Sequence, residues 1–103
     1  MHIISKKPFS DAAAKYPGDR ETIMDTYNTL RKGIFKTPNE LKNTFPSLDN
    51  FKYKDKWWII DIGGNNLRLM MAIQLVCQRI YIKHIVTHEE YDKLCKRYKK
   101  GEL

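Results

Sequence analysis

The sequence has few of the features that mark several common protein classes. It has two cysteines in 103 residues, and Cys77 and Cys95 lack both C-x-x-C spacing and the companion ligands of a zinc site. No apolar run approaches the ~20 residues that a membrane-spanning helix needs, and residues 1–5 are too short for a signal peptide. We therefore expect a cytoplasmic protein with reduced thiols that binds no metal ion or cofactor and contacts no membrane.

Familiar catalytic motifs and acidic residues are also scarce. The sequence contains no glycine-rich phosphate loop, no nucleophile elbow and no H-E-x-x-H motif. Asp and Glu total 12 against 19 Lys and Arg, which gives a net charge of +7. Such an excess favours a polyanionic partner, with nucleic acid first, acidic proteins second and anionic membrane surfaces third. A small basic protein without any such partner would show the same balance.

The length and composition predict one folded domain over residues 1–103. Hydrophobic residues make up 42% of the chain and aromatic residues 12%, enough for a single modest core. Apolar periodicity and capping patterns predict four helices: one that ends before Pro17, one over about 19–32, a short one after Thr37 and a last one after Thr87. Outside the helices, the sequence predicts an edge strand in 1–5, a loop at 47–50 and a strand at 51–54.

Three consecutive antiparallel strands are predicted between residues 57 and 86. They span 57–62, 67–76 and 79–86, and Gly63-Gly64-Asn65-Asn66 supplies the residues that a tight hairpin requires. Side chains alternate along a strand, so one face of the middle strand carries the core residues Leu67, Leu69, Met71, Ile73 and Leu75. Arg68 then lies on the non-core face. The predicted order along the chain is helices first, then an antiparallel meander and then a final helix, which indicates an α+β fold class.

Basic and aromatic residues interleave around this predicted sheet. Lys52, Lys54 and Lys56 precede the first of the three strands, Arg68 begins the second, and the last strand has one face formed by Arg79, Tyr81 and Lys83. Cations bind phosphates and tyrosine rings stack on bases, so the combination suits RNA binding. An ordinary solvated sheet face would contain the same residue types.

His88 and Tyr91 are candidates for chemistry in the final helix. Their spacing of three puts them on adjacent turns of one helix face, near the end of the strand that carries Lys83. A histidine near its ordinary pKa of ~6.5 can donate or accept a proton. The alternatives are a solvent-exposed His88 and a Tyr91 that packs with Leu94. Strand alternation places His84 opposite Lys83, so we expect His84 to be structural.

Three blocks of the sequence resemble the HigB toxins of bacterial type II toxin–antitoxin systems, in the RelE/ParE superfamily. The blocks are Phe45-Pro46-Ser47-Leu48-Asp49-Asn50-Phe51-Lys52-Tyr53, Gly63-Gly64-Asn65 with Leu67-Arg68, and Thr87-His88-Glu89-Glu90-Tyr91-Asp92 with the preceding Tyr81-Ile82-Lys83. They occur in the order expected for the family, and the resemblance covers nearly the whole chain.

The resemblance implies N-terminal helices packed on a twisted antiparallel sheet, a short C-terminal helix, and ribosome-dependent cleavage of translated mRNA. It also implies a helix-turn-helix antitoxin of the HigA type. The protein would then contact operator DNA only indirectly, through this antitoxin. By the same resemblance, Arg68 contacts the region of the scissile phosphate, Tyr91 positions the RNA, and His88 matches the histidine of the C-terminal segment.

A nuclease of this kind requires no metal. The ribose 2′-OH attacks the adjacent phosphate, a base removes its proton, cations stabilise the developing charge and an acid protonates the 5′-oxygen. We expect Arg68 and Lys83 to stabilise the charge and His88 to serve as acid or base. Tyr91 would orient the nucleotide, and Lys54 or Lys56 would bind backbone phosphate.

Two other functions are compatible with the sequence. A ParE-like toxin that inhibits DNA gyrase would share the fold without being a nuclease. A non-catalytic module that binds RNA or the ribosome would need Arg68 and the lysines but not His88.

Overall fold

A mixed five-stranded sheet lies at the centre of the structure, a computed structural model that describes residues 1–64 and 66–102. In chain order the elements are β1 (His2–Ile3), α1 (Lys7–Lys15), a 3-10 turn (Pro17–Asp19), α2 (Arg20–Lys32), α3 (Pro38–Thr44), β2 (Asp49–Asn50), β3 (Trp57–Ile62), β4 (Leu67–Gln74), β5 (Arg79–Thr87) and α4 (His88–Lys99). The spatial order of the strands is β1-β5-β4-β3-β2. This arrangement confirms the predicted α+β fold class.

The β3–β4–β5 meander is antiparallel, as the sequence predicts. Gly63 and Gly64 have φ angles of +64° and +69°, which other residues rarely adopt, so the chain can reverse tightly there. Asn65 of the predicted turn lies outside the described residues. β4 ends two residues earlier than predicted, because residues 75–78 form the turn to β5.

The two edge strands differ from the prediction. β1 runs parallel to β5, so the sheet is mixed rather than antiparallel throughout. β2 forms in a segment predicted as a loop and pairs antiparallel with β3. The strand predicted at 51–54 is wrong. The Phe51 amide donates to the Trp57 carbonyl at 2.9 Å, which closes residues 51–56 into a turn.

The first face of the sheet carries the main core, under α1 and α2. Its buried residues include Phe9, Ala12, Ala13, Ile23 and Leu30 from the helices and Ile60, Ile62, Leu67, Leu69, Met71, Ile73 and Ile80 from the strands. The terminal ammonium of Met1 donates to the carbonyls of Leu30 and Arg31 at 3.1 and 3.2 Å, which ties β1 to the end of α2. No helix in the described part of the chain is long and apolar enough to cross a membrane.

The second face of the sheet is covered by α4. Phe51, Ile59 and Met70 are buried there and pack against the apolar stripe of that helix. Since successive side chains point to opposite faces, β3 and β4 bury residues on both sides. The expectation that Arg68 lies on a face without a core is therefore wrong. This face has a small core of its own.

Both predicted capping boxes are present, at Thr37–Glu40 and at Thr87–Glu90. In the second box, Glu90 Oε1 accepts the Thr87 amide at 3.2 Å, and it also accepts the hydroxyl of Tyr16 at 3.0 Å. The hydrogen bond from the Thr87 backbone amide is the main reason that the pKa of Glu90 lies below its usual range, and the side-chain hydrogen bonds from Thr87 and Tyr16 add to this effect. Burial acts in the opposite direction and raises the pKa. One carboxylate thus joins the start of α4 to the end of α1.

A β-bulge interrupts β5 at Lys83. The residues on either side of Lys83 pair with consecutive residues of β4, so Lys83 itself opposes no residue of β4. An extra residue shifts the alternation of side chains by one position. As a result, both Lys83 and His84 face α4, where they contact Trp57 and Tyr98. The prediction that His84 faces away from Lys83 is wrong for this reason.

The core assignment can be tested with one substitution at two positions. Ile80 is 0% exposed and Ile34 is 75% exposed. Ile80→Ala should lower the free energy of unfolding by about 2–5 kcal/mol through lost burial and a new cavity. Ile34→Ala should change it by less than about 0.5 kcal/mol. Urea unfolding followed by circular dichroism measures both, and equal losses would contradict the assignment.

Candidate functional site

Arg68 lies at the boundary between the small core and a cavity. It pairs across the hairpin with Asp61, and the Arg68 Nε atom is 3.3 Å from Asp61 Oδ1. The guanidinium carbon is 4.5 Å from the ring centroid of Tyr91 on α4. The two charged side chains are only 28% and 25% exposed, so water screens their interaction incompletely. We name Arg68, Asp61 and Tyr91 the arginine group.

Tyr91 keeps its hydroxyl proton under ordinary conditions. Burial raises the pKa of Tyr91 to about 12, and the Cys95 thiol adds to the effect, while Arg68 opposes it. A neutral phenol can donate or accept a hydrogen bond but is rarely ionised near neutral pH. Tyr91 therefore has a neutral hydroxyl and a ring that contacts the Arg68 guanidinium, and its role in orienting a nucleotide stays a prediction.

A cavity of about 530 Å³ opens beside the arginine group. Arg68, Tyr91 and Lys52 line it, so three of the predicted residues meet there. The lining also includes Asp61 and Asp49, which makes the site mixed in charge. Lys54 and Lys56 do not line this cavity.

A second cavity, of about 900 Å³, lies along the turn at 51–56 and the turn between β4 and β5. Its lining includes Lys52, Lys54 and Lys56 together with Trp57. Lys52 lines both cavities, which share residues 50–53. The three predicted lysines are therefore brought together along this groove, beside an aromatic ring.

Aromatic rings form a continuous cluster beneath α4. Phe51 is at its centre, with ring centroids 5.3 Å from Tyr98, 5.9 Å from Trp57 and 6.3 Å from Tyr91. Lys54 Nζ lies 5.7 Å from the Tyr98 centroid. This geometry supports the predicted alternation of cations and aromatic rings, and it links the arginine group to the groove.

A second group of polar residues surrounds the bulge. Lys83 Nζ lies 5.4 Å from the Trp57 ring centroid and 5.9 Å from that of Tyr81. His84 Nε2 lies 2.9 Å from Tyr98 Oη. We name Trp57, Tyr81, Lys83, His84 and Tyr98 the bulge group. Lys83 contacts this group and Arg68 contacts the other, so the two predicted charge-stabilising cations occupy different parts of the face.

Two predicted residues, His88 and Arg79, lie outside both groups and line neither cavity. His88 lines neither cavity, although its Nε2 atom is buried and makes no hydrogen bond within residues 1–64 and 66–102. Arg79 is exposed and pairs with Gln74 at the far end of β4, away from the arginine group. In the described residues, His, Cys, Asp and Glu side chains form no group of three that could hold a metal ion.

His84 is the site residue that sequence reasoning missed. Burial lowers the pKa of His84, and the nearby charge of Lys83 lowers it further. The neutral imidazole is consequently favoured at neutral pH, where it can accept a proton. The prediction assumed regular alternation of side chains along the strand and therefore assigned His84 to the wrong face. The sequence contains no glycine or other signal that would indicate a bulge at Lys83.

Similarity to known proteins extends over nearly the whole chain. Residues 19–94 match the model of the family HigB_toxin, described as the RelE-like toxic component of a toxin-antitoxin system. The mRNA interferase HigB of Escherichia coli strain CFT073 is 47% identical over 102 residues, which cover 99% of both chains. The mRNA interferase HigB of Shigella flexneri is 47% identical over 92 residues, which cover 89% of this chain and 88% of that protein.

The environment of His84 can be measured by NMR titration of the histidine ring protons. In the wild type, His84 should titrate below the ordinary pKa of about 6.5. Lys83→Met should raise the pKa of His84, because a neighbouring cation is removed, while burial keeps part of the depression. Lys93→Met, at an exposed position of α4 paired with Glu89, should leave it unchanged. A wild-type His84 that titrates above 6.5 would contradict this description.

Proposed function

The chain belongs to the HigB toxin family, and we propose that it is an endoribonuclease that cleaves mRNA as the toxic component of a toxin–antitoxin pair. The observation that carries the proposal is the arginine group: a guanidinium held over the Tyr91 ring beside a cavity that Lys52 also lines. The relatives' names as mRNA interferases and the net charge of +7 support the choice of RNA as substrate.

The groove at 51–56 binds the RNA backbone in this proposal. Lys52, Lys54 and Lys56 neutralise phosphates, and each contact of this kind makes binding weaker as salt rises. Tyr81 stacks against a base, and exposed Arg79 adds a backbone contact at the end of the sheet. The aromatic cluster between the groove and the arginine group supports a continuous path for a single strand.

The chemistry is an internal displacement at phosphorus that needs no metal ion. The 2′-oxygen attacks the adjacent phosphate, Arg68 stabilises the negative charge that develops on the phosphate oxygens, and Lys83 adds positive charge from the bulge group on the same face of the sheet. Tyr91 orients the nucleotide through its neutral hydroxyl. His88 exchanges a proton with the reacting oxygens as acid or base.

The substrate is mRNA on the ribosome, and the partner is a helix-turn-helix antitoxin of the HigA type. Family membership supports an antitoxin in general terms, since the family is described as the toxic half of such a system. The basic groove supports binding to translated mRNA within the ribosome, where the surrounding RNA is also polyanionic.

Arg68→Ala should slow cleavage of ribosome-bound mRNA roughly a hundredfold or more, because one stabilising cation is removed from the reacting phosphate. The assay is primer extension on a defined mRNA incubated with purified ribosomes and protein, with a ribosome-free arm. Arg31→Ala, at an exposed position of α2, is the matched control and should cut like the wild type.

Three results would contradict parts of this proposal. Wild-type activity in Arg68→Ala would remove Arg68 from the site. Inhibition of gyrase supercoiling with intact mRNA would favour a ParE-like toxin. Growth arrest that persists without any new mRNA end would favour a non-catalytic RNA-binding module.

Co-expression tests the antitoxin. A helix-turn-helix protein encoded beside the toxin should restore growth and abolish the new mRNA ends when both proteins are induced. A helix-turn-helix protein from an unrelated operon is the control and should do neither. If the neighbouring protein left mRNA cleavage intact, the proposed partner would be wrong.

A further inference from the structure

The bulge in β5 places a lysine and a histidine that are neighbours in sequence on the same face of the sheet. In regular β-structure, consecutive side chains point to opposite faces, so Lys83 and His84 would be separated by the strand itself. Here Lys83 opposes no residue of β4, and both side chains face α4. Bulges of this kind often redirect a side chain next to an active site. The bulge thus brings a cation and an imidazole together.

Tyr98 orients the imidazole. Its hydroxyl oxygen lies 2.9 Å from His84 Nε2, and the two rings are at 68° with centroids 6.1 Å apart. Burial raises the pKa of Tyr98, so this hydroxyl stays protonated. When Nε2–H donates to the tyrosine oxygen, the lone pair of the ring lies on Nδ1. A fixed tautomer with one free nitrogen is what a general base requires.

Charged and titratable groups face His84 from three elements of the fold. Lys83 is on its own strand, Tyr98 faces it from α4, and Lys54 lies above the Tyr98 ring from the turn at 51–56. Met70, its partner on β4, is apolar and fully buried. Burial and the Lys83 cation both lower the pKa of His84. Protonation would add positive charge beside Lys83.

We propose that His84, oriented by Tyr98, is the group that removes the proton from the ribose 2′-OH during cleavage. The proposal rests on the mRNA cleavage proposed above and identifies its general base. Lys83 Nζ lies 5.4 Å from the Trp57 ring centroid beside the same position, so a cation is available next to His84.

The step is balanced without a metal ion or an added reactant. Nδ1 of neutral His84 takes the proton of the 2′-OH as the 2′-oxygen forms a bond to the adjacent phosphorus. The bond from phosphorus to the 5′-oxygen breaks, and that oxygen leaves with a proton from a general acid or from water. The products are a 2′,3′-cyclic phosphate and a 5′-hydroxyl end, and the imidazolium then returns its proton to solvent.

The geometry favours His84 over His88 for this role. Neither histidine lines the two cavities, but His88 lies in the first turn of α4 with a buried Nε2 that makes no hydrogen bond in the described part of the chain. His84 is next to a predicted charge-stabilising lysine, and its Nε2 atom is held by a hydrogen bond with the Tyr98 hydroxyl, which leaves Nδ1 for the proton when Nε2–H is the donor. We therefore assign His84 as the base that removes the 2′-OH proton and His88 as the acid that protonates the 5′-oxygen.

The main experiment compares the three histidines in one assay. Cleavage of a defined mRNA on purified ribosomes is followed under single-turnover conditions for the wild type, His84→Ala, His88→Ala and His2→Ala. His84→Ala should be slower by about a hundredfold or more. His2→Ala, at an exposed position of β1, should equal the wild type. Added imidazole should restore part of the His84→Ala rate, which it would not do if His84 were only structural.

A second variant protects the test against a folding defect. Tyr98→Phe retains the ring and removes only the hydroxyl, so it should fold normally and cut about tenfold more slowly, as expected for one lost orienting hydrogen bond. The acid limb of the wild-type pH–rate profile should have its midpoint below 6.5. Lys83→Met should move that midpoint to higher pH as well as lowering the rate.

The outcomes separate the two proposals. A wild type that cuts mRNA together with a His84→Ala variant that cuts equally fast would overturn the role of His84 and leave the nuclease intact. An acid limb that is unchanged in Lys83→Met would also count against His84. A wild type that cuts no mRNA, with or without ribosomes, would overturn the proposed function itself.

Discussion

Burial of the aromatic stripe of α4 on the second face of the sheet is the interaction on which the rest of the site depends. Without that helix, Phe51, Ile59 and Met70 would be exposed to water. With it, the strands are covered on both sides, and polar groups on this face must lie at the margins of the helix. The arginine group lies near its first turns, and the bulge group lies near Tyr98 towards its end.

The position of α4 is fixed at its start by a single carboxylate. Glu90 caps its own helix through Thr87 and accepts the Tyr16 hydroxyl from α1, and Lys15 lies 3.9 Å from its other oxygen. Hydrogen bonds to an ionised acceptor are stronger than neutral ones. The N-terminal helices, which contact the first face, thereby influence the geometry of the second. Tyr91 directly follows Glu90 in the chain and lies next to this link.

Local signals in the sequence predicted most of the fold. The helices and the hairpin could be located from the two capping boxes, the glycine turn and the apolar periodicity of the helices, because each of these signals depends on residues close in sequence. The parallel pairing of β1, the two-residue β2 and the closed turn at Phe51 depend on long-range pairing or on one hydrogen bond. The second core could not be predicted from β4 alone, since Met70 reads as an outward residue until α4 is placed over it.

The candidate site was predicted less completely than the fold. Arg68, Tyr91 and Lys52 do meet, but alternation failed at Lys83, because one inserted residue reverses the orientation of every side chain that follows it. The location of a bulge depends on how two strands pair, and here neither strand contains a glycine that would mark it. His84 was assigned to the wrong face for that reason alone, whereas Tyr81, before the bulge, and Lys83, at the bulge, share a face as predicted.

The ion pair between Arg68 and Asp61 also bears on how the site would hold an anion. The carboxylate approaches the guanidinium at Nε, 3.3 Å away, and the Tyr91 ring lies against its face. Guanidinium groups bind phosphate best through two parallel N–H groups, and the edge formed by the two terminal nitrogens provides such a pair. Asp61 and Tyr91 therefore both contact the guanidinium in the absence of an anion. A lysine at position 68 would have neither the flat face nor the second edge, so arginine suits this position for its shape as well as its charge.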